Sequence, residues 1–306
     1  FSMDDFCLQV LVSGSAMPSK LSNQSAQMLT MRNKAFLIDC GEGTQIQIMR
    51  NHISTARLSH IFISHLHGDH CFGLLGLIST LGMKQHKGTL YIHAHPMLES
   101  FVRPALEYFC RDLSFNVVFE PYDSGKSSVI YEDRSVQVST IPLKHTLPTC
   151  GFLFKETPRK RHIIREKIDF YKIPVRQIPM IKNGADFITA DGDRIRNQEL
   201  TTAPSPSKSY AYCSDTMFRE SIIEQIRNVD LLFHEATFLH EHLSKAKKTM
   251  HSTALQAATI AKNANVKKLV IGHFSARYSD LTPLVTEART IFPNTDLAID
   301  LKKFFF

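Results

Sequence analysis

His65-Leu66-His67-Gly68-Asp69-His70 places three imidazoles and a carboxylate within six residues. The run before it, Leu58-Ser59-His60-Ile61-Phe62-Ile63-Ser64, is apolar and β-branched and reads as a buried strand. After it, Phe72, Leu74, Leu75, Leu77, Ile78 and Leu81 recur at helical spacing and predict one helix face. The ligand types therefore occupy a strand-to-helix turn. Borderline-soft nitrogen mixed with hard oxygen suits zinc and some neighbouring divalent metals. His65 and His67 can point one way while Asp69 and His70, further round the turn, point another, so one short loop can supply two ligands to each of two adjacent ions. The alternative is a His-rich surface loop that binds metal only adventitiously, and it predicts no matching ligands downstream.

The chain has 306 residues, 43% of them apolar, which is ample for one large core or two modest ones. It has no run of about 18 apolar residues, and its start, Phe1-Ser2-Met3-Asp4-Asp5-Phe6, is acidic where a signal peptide is basic, so residence in the cytoplasm is the expectation. The position of Met3 leaves Phe1 and Ser2 as candidate additions to the natural chain. Six cysteines, at 7, 40, 71, 110, 150 and 213, show no Cys-x-x-Cys spacing and fall mostly in or beside apolar runs, which predicts buried thiols and not a zinc ribbon or a disulfide scaffold. The net charge of +7 is concentrated. Between Lys155 and Lys182 nine Lys or Arg stand against three acids.

Taken in order, Phe6 to Val12 reads as a strand that ends in a turn-rich loop carrying Lys20. A strand at Ala35 to Ile38 delivers Asp39 into Cys40-Gly41-Glu42-Gly43-Thr44, where an Asp beside two glycines suits bracing a loop better than chemistry. Thr89 to Ala94, Phe115 to Phe119 and Ser135 to Leu143 are further strands, and Pro96 opens a helix carrying Leu98, Phe101, Val102, Leu106 and Phe109 at helical spacing. His93 and His95 read as structural. His145, at the exit of a buried strand, reads as functional. From Lys155 to about Lys208 the alternation stops, and this basic segment with five prolines predicts a loop-rich excursion. The pattern resumes with strands at Ser209 to Cys213, Leu231 to Phe233, Lys268 to Ile271 and Leu297 to Ile299, and with helices at Phe218 to Ile226, after His251 with Ser252 or Thr253 as cap, and at Leu281 to Ile291.

Acids and imidazoles placed just after strands number eight: His65, His67, Asp69, His70, His145, Asp215, His234 and His273. Strands of one sandwich deliver their ends to a common rim, so these residues can converge despite their separation along the chain. A two-metal hydrolase needs about three or four protein ligands per ion and a carboxylate that bridges them. Asp215 is the strand-end carboxylate left for bridging once Asp69 is used in the loop.

The order His-x-His-x-Asp-His, then a lone His, an Asp and a lone His resembles the metallo-β-lactamase superfamily. Asp39-Cys40-Gly41-Glu42-Gly43-Thr44-Gln45, Ser214-Asp215-Thr216, His234-Glu235-Ala236-Thr237, His251-Ser252-Thr253-Ala254 and His273-Phe274-Ser275-Ala276-Arg277-Tyr278 are similar to its ribonuclease Z branch, the transfer-RNA 3′-processing endonucleases. The resemblance implies an α/β fold, a four-layer αββα sandwich of one domain over residues 1–306, with a protruding basic arm inserted at about 155–182 and reaching to 208. It implies two divalent metal ions, zinc above all: His65, His67 and His145 on one, Asp69, His70 and His273 on the other, and Asp215 bridging. Asp69 would also orient the attacking hydroxide, and His251, oriented by Glu235, would protonate the leaving 3′-oxygen. His234 would orient Glu235 or a ligand. The implied partner is precursor transfer RNA, cut to remove its 3′ trailer, with a homodimer as the working form and neither membrane nor DNA as partner. Lys20, Ser275, Arg277, Arg159, Lys160 and Arg161 are the candidate RNA contacts. The chain departs from the pattern in two places. Its arm has Ile173-Pro174-Val175-Arg176-Gln177-Ile178-Pro179 where relatives carry a Gly-Pro pair, and its early loop reads Pro18-Ser19-Lys20-Leu21-Ser22-Asn23, with Ser22 in place of a cation that bears on precursors already encoding CCA. The rival readings are another hydrolase on the same scaffold (a lactonase, thiolesterase or small phosphodiesterase) and an RNA-binding member with a decayed site.

Overall fold

The computed structural model describes residues 6–15 and 24–306; the candidate contact Lys20 and the loop around it lie outside them. The chain divides into two compact units, one running to Lys155 and resuming at Lys208, the other spanning Glu156–Ser207. The first unit opens with strands β1 (Phe6–Val12), β2 (Ala26–Met31), β3 (Lys34–Ile38), β4 (Leu58–Phe62), β5 (Thr89–Ala94) and β6 (Asn116–Pro121). Helices α1 (Thr44–Arg50), α2 (Gly68–Cys71), α3 (Leu74–Met83) and α4 (Met97–Phe109) lie between them. Alternate residues of β3 face opposite cores: Phe36 and Ile38 enter the inter-sheet layer, while Ala35 and Leu37 pack with α1, α3 and α4. Burial on both faces makes such strands read as continuous apolar runs. The helix after the metal loop buries Leu74, Leu77, Ile78 and Leu81, but Phe72 is 72% and Leu75 38% exposed, so those two are not on its packed face.

Strands β7 (Val129–Glu132), β8 (Val136–Pro142) and β9 (Cys150–Glu156) follow. The second unit then begins. It contains two-residue strands β10 (His162–Ile163), β11 (Phe187–Ile188), β12 (Arg194–Ile195) and β13 (Thr201–Thr202), paired β10 with β13 and β11 with β12, and short helices α5 (Arg165–Phe170), α6 (Ile178–Lys182) and α7 (Asn197–Leu200). Ile173, Ile181, Phe187 and Leu200 form a buried core of its own, so the segment is a small folded unit where the sequence predicts an irregular loop. Asn197 ties it together: its side-chain amide donates to the carbonyls of Ile181 (2.6 Å) and Ala185 (2.7 Å).

The first unit resumes with β14 (Ser209–Cys213), β15 (Leu231–Glu235), α8 (Leu243–Thr249), α9 (Ala254–Asn263), β16 (Leu269–Gly272), α10 (Thr282–Arg289), β17 (Thr295–Leu297) and β18 (Lys303–Phe305). Two seven-stranded sheets result, ordered β18-β1-β2-β3-β4-β5-β6 and β17-β16-β15-β14-β9-β8-β7. Phe36, Phe62, Phe152 and Phe154 interlock between them, with Phe62 edge-on to Phe154 at 5.3 Å. Helices α9 and α10 cover the outer face of the second sheet, which completes the αββα order. Thr253 caps α9, with Gln256 closing the capping box. Phe218 to Ile226, predicted as a helix, holds only a 3₁₀ turn at Glu220–Ile222, and Ile222 and Ile226 still reach the core. The closing strand sits two residues earlier than predicted, and β18 pairs with β1 at the opposite sheet's edge. Five of the six thiols are buried and Cys110 is partly exposed.

In the second sheet β14, β15 and β16 run parallel, as do β3, β4 and β5 in the first. Their carboxyl ends carry Asp215, Glu235, His273, Asp39 and the metal loop.

Candidate metal centre

Three of these strand-end residues, Asp39, Asp215 and His273, have φ of 56°, 55° and 58°. The left-handed conformation costs a non-glycine residue about 1–2 kcal/mol, and here it turns each side chain sharply off its strand.

Two sets of donor atoms result. In one, His65 Nε2 lies 2.9 Å from His67 Nδ1 and 3.7 Å from Asp215 Oδ2. His145 Nε2 completes it, 3.3 Å from His67 Nδ1 and 3.7 Å from the same Asp215 oxygen. In the other, His70 Nε2 is 3.4 Å from both Asp69 Oδ2 and Asp215 Oδ1, and His273 Nε2 is 3.5 Å and 3.3 Å from those atoms. Ligands about 2.05 Å from a tetrahedral ion stand ~3.3 Å apart, so both sets have the spacing of coordination spheres. Asp215 offers one oxygen to each. His70 Nε2 and His273 Nε2 are buried without any hydrogen-bond partner, the state of lone pairs reserved for a cation.

The opposite ring nitrogens of His65, His70, His145 and His273 are accounted for, while His67, which faces its set with Nδ1, has the Thr146 hydroxyl 3.5 Å from its Nε2. Asp39 Oδ2 accepts from His70 Nδ1 at 2.7 Å, and the Met250 carbonyl accepts from His145 Nδ1 at 3.1 Å. The Ser64 hydroxyl donates to Asp39 (2.9 Å), leaving its oxygen to accept from His65 Nδ1 at 3.0 Å. The Thr237 hydroxyl donates to Glu235 (2.6 Å) and accepts from His273 Nδ1 at 3.2 Å. Each bond places the imidazole proton on Nδ1 and frees Nε2. Asp39 braces the loop, as its setting predicts, and in addition accepts from the Ser64 amide (2.7 Å) and the Tyr212 hydroxyl (2.6 Å). Tyr212, Thr237 and Met250 are missed by sequence reasoning; only Thr237, within His-Glu-Ala-Thr, carried a signal.

Electrostatics point the same way. Burial would raise Asp215, but the surrounding imidazoles of His273, His70 and His65 hold it well below the usual carboxylate range. Burial opposes charge on His70, yet Asp215 and Asp39 hold it well above its ordinary value. His65, with more imidazoles than carboxylates around it, is driven well below by burial first and His70 next. A buried pocket of carboxylates that recruits positive charge in this way favours a cation.

Glu235 is fully buried. Its Oε1 accepts from the Thr216 amide and from His251 Nδ1, both at 2.8 Å, and Oε2 accepts from the Thr237 amide (3.2 Å) and hydroxyl and from the Ser252 amide (3.0 Å). With five donors its lone pairs are filled, so although Glu235, His251 and His273 also cluster at ligand spacing, Glu235 holds His251 rather than a metal. Burial lowers His251, and Glu235 more than offsets it, raising the imidazole to about 9. His234 joins neither set: its Nδ1 donates to the Glu235 main-chain carbonyl at 2.7 Å and its Nε2 has no partner, so it orients neither the Glu235 carboxylate nor a ligand. His93 is likewise structural, its Nε2 3.0 Å from His60 Nδ1, and His95 Nδ1 accepts from the Met97 amide at the start of α4.

A cleft of about 740 Å³ opens over the donors, lined among others by His67, Phe72, Lys248, His251 and Ser275. Arg277 lies with its guanidinium 5.2 Å over the ring of Phe238, which also lines the cleft. In the second unit Arg159 bonds Glu156 (2.7 Å) and Arg161 bonds Thr201 (2.6 Å), so both serve the unit's own structure, whereas Lys160 is exposed.

The chain is 52% identical over 296 residues to ribonuclease Z of Bacteroides fragilis strain YCH46, covering 97% of each. It is 53% identical over 296 residues to ribonuclease Z of Bacteroides thetaiotaomicron, covering 97% of this chain and 94% of the relative. The chain belongs to the ribonuclease Z family. Residues 6–164 also match the family model described as anti-Pycsar protein Apyc1, and so fall within that family too, over a stretch that ends before Asp215, Glu235, His251 and His273. Among solved structures it is similar to human tRNase Z, short form, with a TM-score of 0.71, 25% identity and coverage of 97% and 98%. It shares the fold of the metallo-β-lactamase fold protein YhfI from Bacillus subtilis, with a TM-score of 0.66, 16% identity and coverage of 98% of both chains. Membership of the ribonuclease Z family makes the chain a metal-using phosphodiester hydrolase. Among the described residues no helix is long and apolar enough to cross a membrane.

Proposed function

We propose that this chain removes the 3′ trailer from precursor transfer RNA by endonucleolytic hydrolysis, leaving a 3′-hydroxyl on the transfer RNA. The observation that carries the reading is the juxtaposition of two donor sets sharing Asp215 with a Glu235–His251 pair at 2.8 Å, within a ribonuclease Z chain. His65, His67, His145 and Asp215 hold one ion; Asp69, His70, His273 and Asp215 hold the other. Zinc suits this nitrogen-rich set best. When bound, the two ions supply Lewis-acid polarisation of the scissile phosphate and acidify a water to near neutrality.

The protein's own groups do the rest. Asp69, with an oxygen facing the second set, orients the attacking oxygen. His251, held at Nδ1 by Glu235, presents Nε2 to the cleft and gives its proton to the departing 3′-oxygen. Exposed Lys160, Arg165, Lys172 and Arg176 of the second unit neutralise phosphates of the transfer RNA, Lys248 does so at the cleft, and the Ser275 hydroxyl donates a hydrogen bond to a phosphate oxygen there. The enzyme works as a cytoplasmic homodimer, a reading that rests on the family resemblance.

Incubation of the zinc-loaded protein with a precursor transfer RNA bearing a 3′ trailer tests this. A single endonucleolytic cut after the acceptor stem is expected, lost on chelation and restored by zinc. Turnover confined to small phosphodiesters, lactones or thioesters, or binding without turnover, would overturn it.

A further inference from the structure

Phe72 is out of place as a packing residue. It follows α2 directly, is 72% exposed, and lines the cleft beside His67, Gly68 and Asp69. Its ring nevertheless lies over the metal loop: a Cβ added at Gly68 would meet Phe72 ring carbons at 2.4–2.7 Å, so the phenyl rests against bare glycine backbone. The glycine inside the metal loop thereby seats an aromatic face at the mouth of the site.

We propose that Phe72 is the platform on which a nucleobase flanking the scissile phosphate stacks. A single-stranded RNA end entering the cleft carries unstacked bases, and an exposed aromatic ring is the sequence-tolerant surface on which proteins receive them. Lys248, the cationic side chain lining the cleft, takes a phosphate, and Phe72 on the metal-loop side takes the base. An apolar groove continues past Phe72 toward Leu75, Leu98 and Phe101, and the charge along it is Glu42, which repels phosphate; the stacking therefore belongs to Phe72 and not to a longer RNA track.

The proposal rests on the ribonuclease reading, and its test separates the two. Single-turnover cleavage is measured for wild type, Phe72→Ala and Phe72→Trp on a normal precursor and on precursors with an abasic nucleotide on either side of the cut, with metal content and sedimentation recorded for each protein. Phe72→Ala should lower kcat/KM by about 5- to 150-fold with both ions retained, and Phe72→Trp should restore it. At one abasic position wild type should lose a similar factor and Phe72→Ala nothing more. Losses that multiply at both positions, an unchanged Phe72→Ala, or a loss that tracks dissociation of subunits would overturn the stacking role. No cleavage by wild type would instead overturn the ribonuclease reading.

Discussion

Replacing Asp39 with Asn changes one atom far from any substrate, yet it should disable half of the metal centre. Oδ1 of Asp39 accepts from the Ser64 amide at 2.7 Å, and a main-chain N–H can only donate, so that position must stay oxygen. The new NH2 then falls at Oδ2, where the Ser64 hydroxyl, the Tyr212 hydroxyl and His70 Nδ1 all donate at 2.6–2.9 Å. The two hydroxyls can rotate and accept. His70 can accept only by carrying its proton on Nε2, the atom that faces Asp69 and Asp215. Loss of an orienting partner alone weakens a metal site about 10–100-fold, or ~1.4–2.7 kcal/mol, and the wrong tautomer adds to that. The His65–His67–His145 set meets Asp39 only through the Ser64 hydroxyl, whose oxygen can still accept from His65 Nδ1 after it rotates, and should be weakened far less. Competition of the apo-protein with a chelating dye should show two tight ions for wild type, and one tight and one weakened at least about tenfold for Asp39→Asn, with turnover falling by at least the same factor. Two ions bound within about threefold of wild-type affinity would refute the tautomer argument.

Three further outcomes are expected. His251→Ala should keep both ions and lower turnover by about 10²–10⁴-fold, with Glu235→Gln in the same direction, as read by stopped cleavage assays beside metal analysis. Replacing Glu156–Lys208 with Asn-Gly should close β9 and β14 as a two-residue hairpin, because Lys155 and Ser209 are cross-strand partners; hydrolysis of a small phosphodiester should persist while transfer-RNA cleavage falls at least tenfold. Buried His60 and His93 are pushed, mainly by burial, down to about 4 and about 3, despite Asp133 acting upward on His60. Both stay neutral when folded and charge near 6.5 when unfolded, so their contribution is present above pH 6.5 and lost as pH falls toward 4, about 2 kcal/mol each by pH 5. Urea unfolding at pH 7.5 and 5.0 should register this, and a His60→Phe/His93→Phe double variant should flatten the difference.

The metal loop, His145, Asp215 and His273 were legible because each pairs a ligand residue type with a strand end, and strands buried on both faces announce themselves as unbroken apolar runs. Strand β2 was not, since Gln27 and Thr30 interrupt it, and Gln27 is buried only because the Tyr210 hydroxyl reaches it from 183 residues away. A separation of 173 residues likewise hid Tyr212 behind Asp39. Phe72 and Leu75 matched a helical period but fell on the open side, because periodicity marks a stripe and tertiary contacts decide its width. In the second unit four apolar residues suffice for a core, too few to stand out among prolines and cations.

The donors of both sets are split between the two ends of the chain, with Asp215 and His273 arriving long after His65 to His70. During synthesis the early imidazoles therefore emerge with no complete coordination sphere to enter. The first set can close once β14 has delivered Asp215, but the second waits for the strand that leads to His273, so the two-ion centre is completed only late in synthesis, which keeps a nascent nuclease inert beside the RNA of the machine making it.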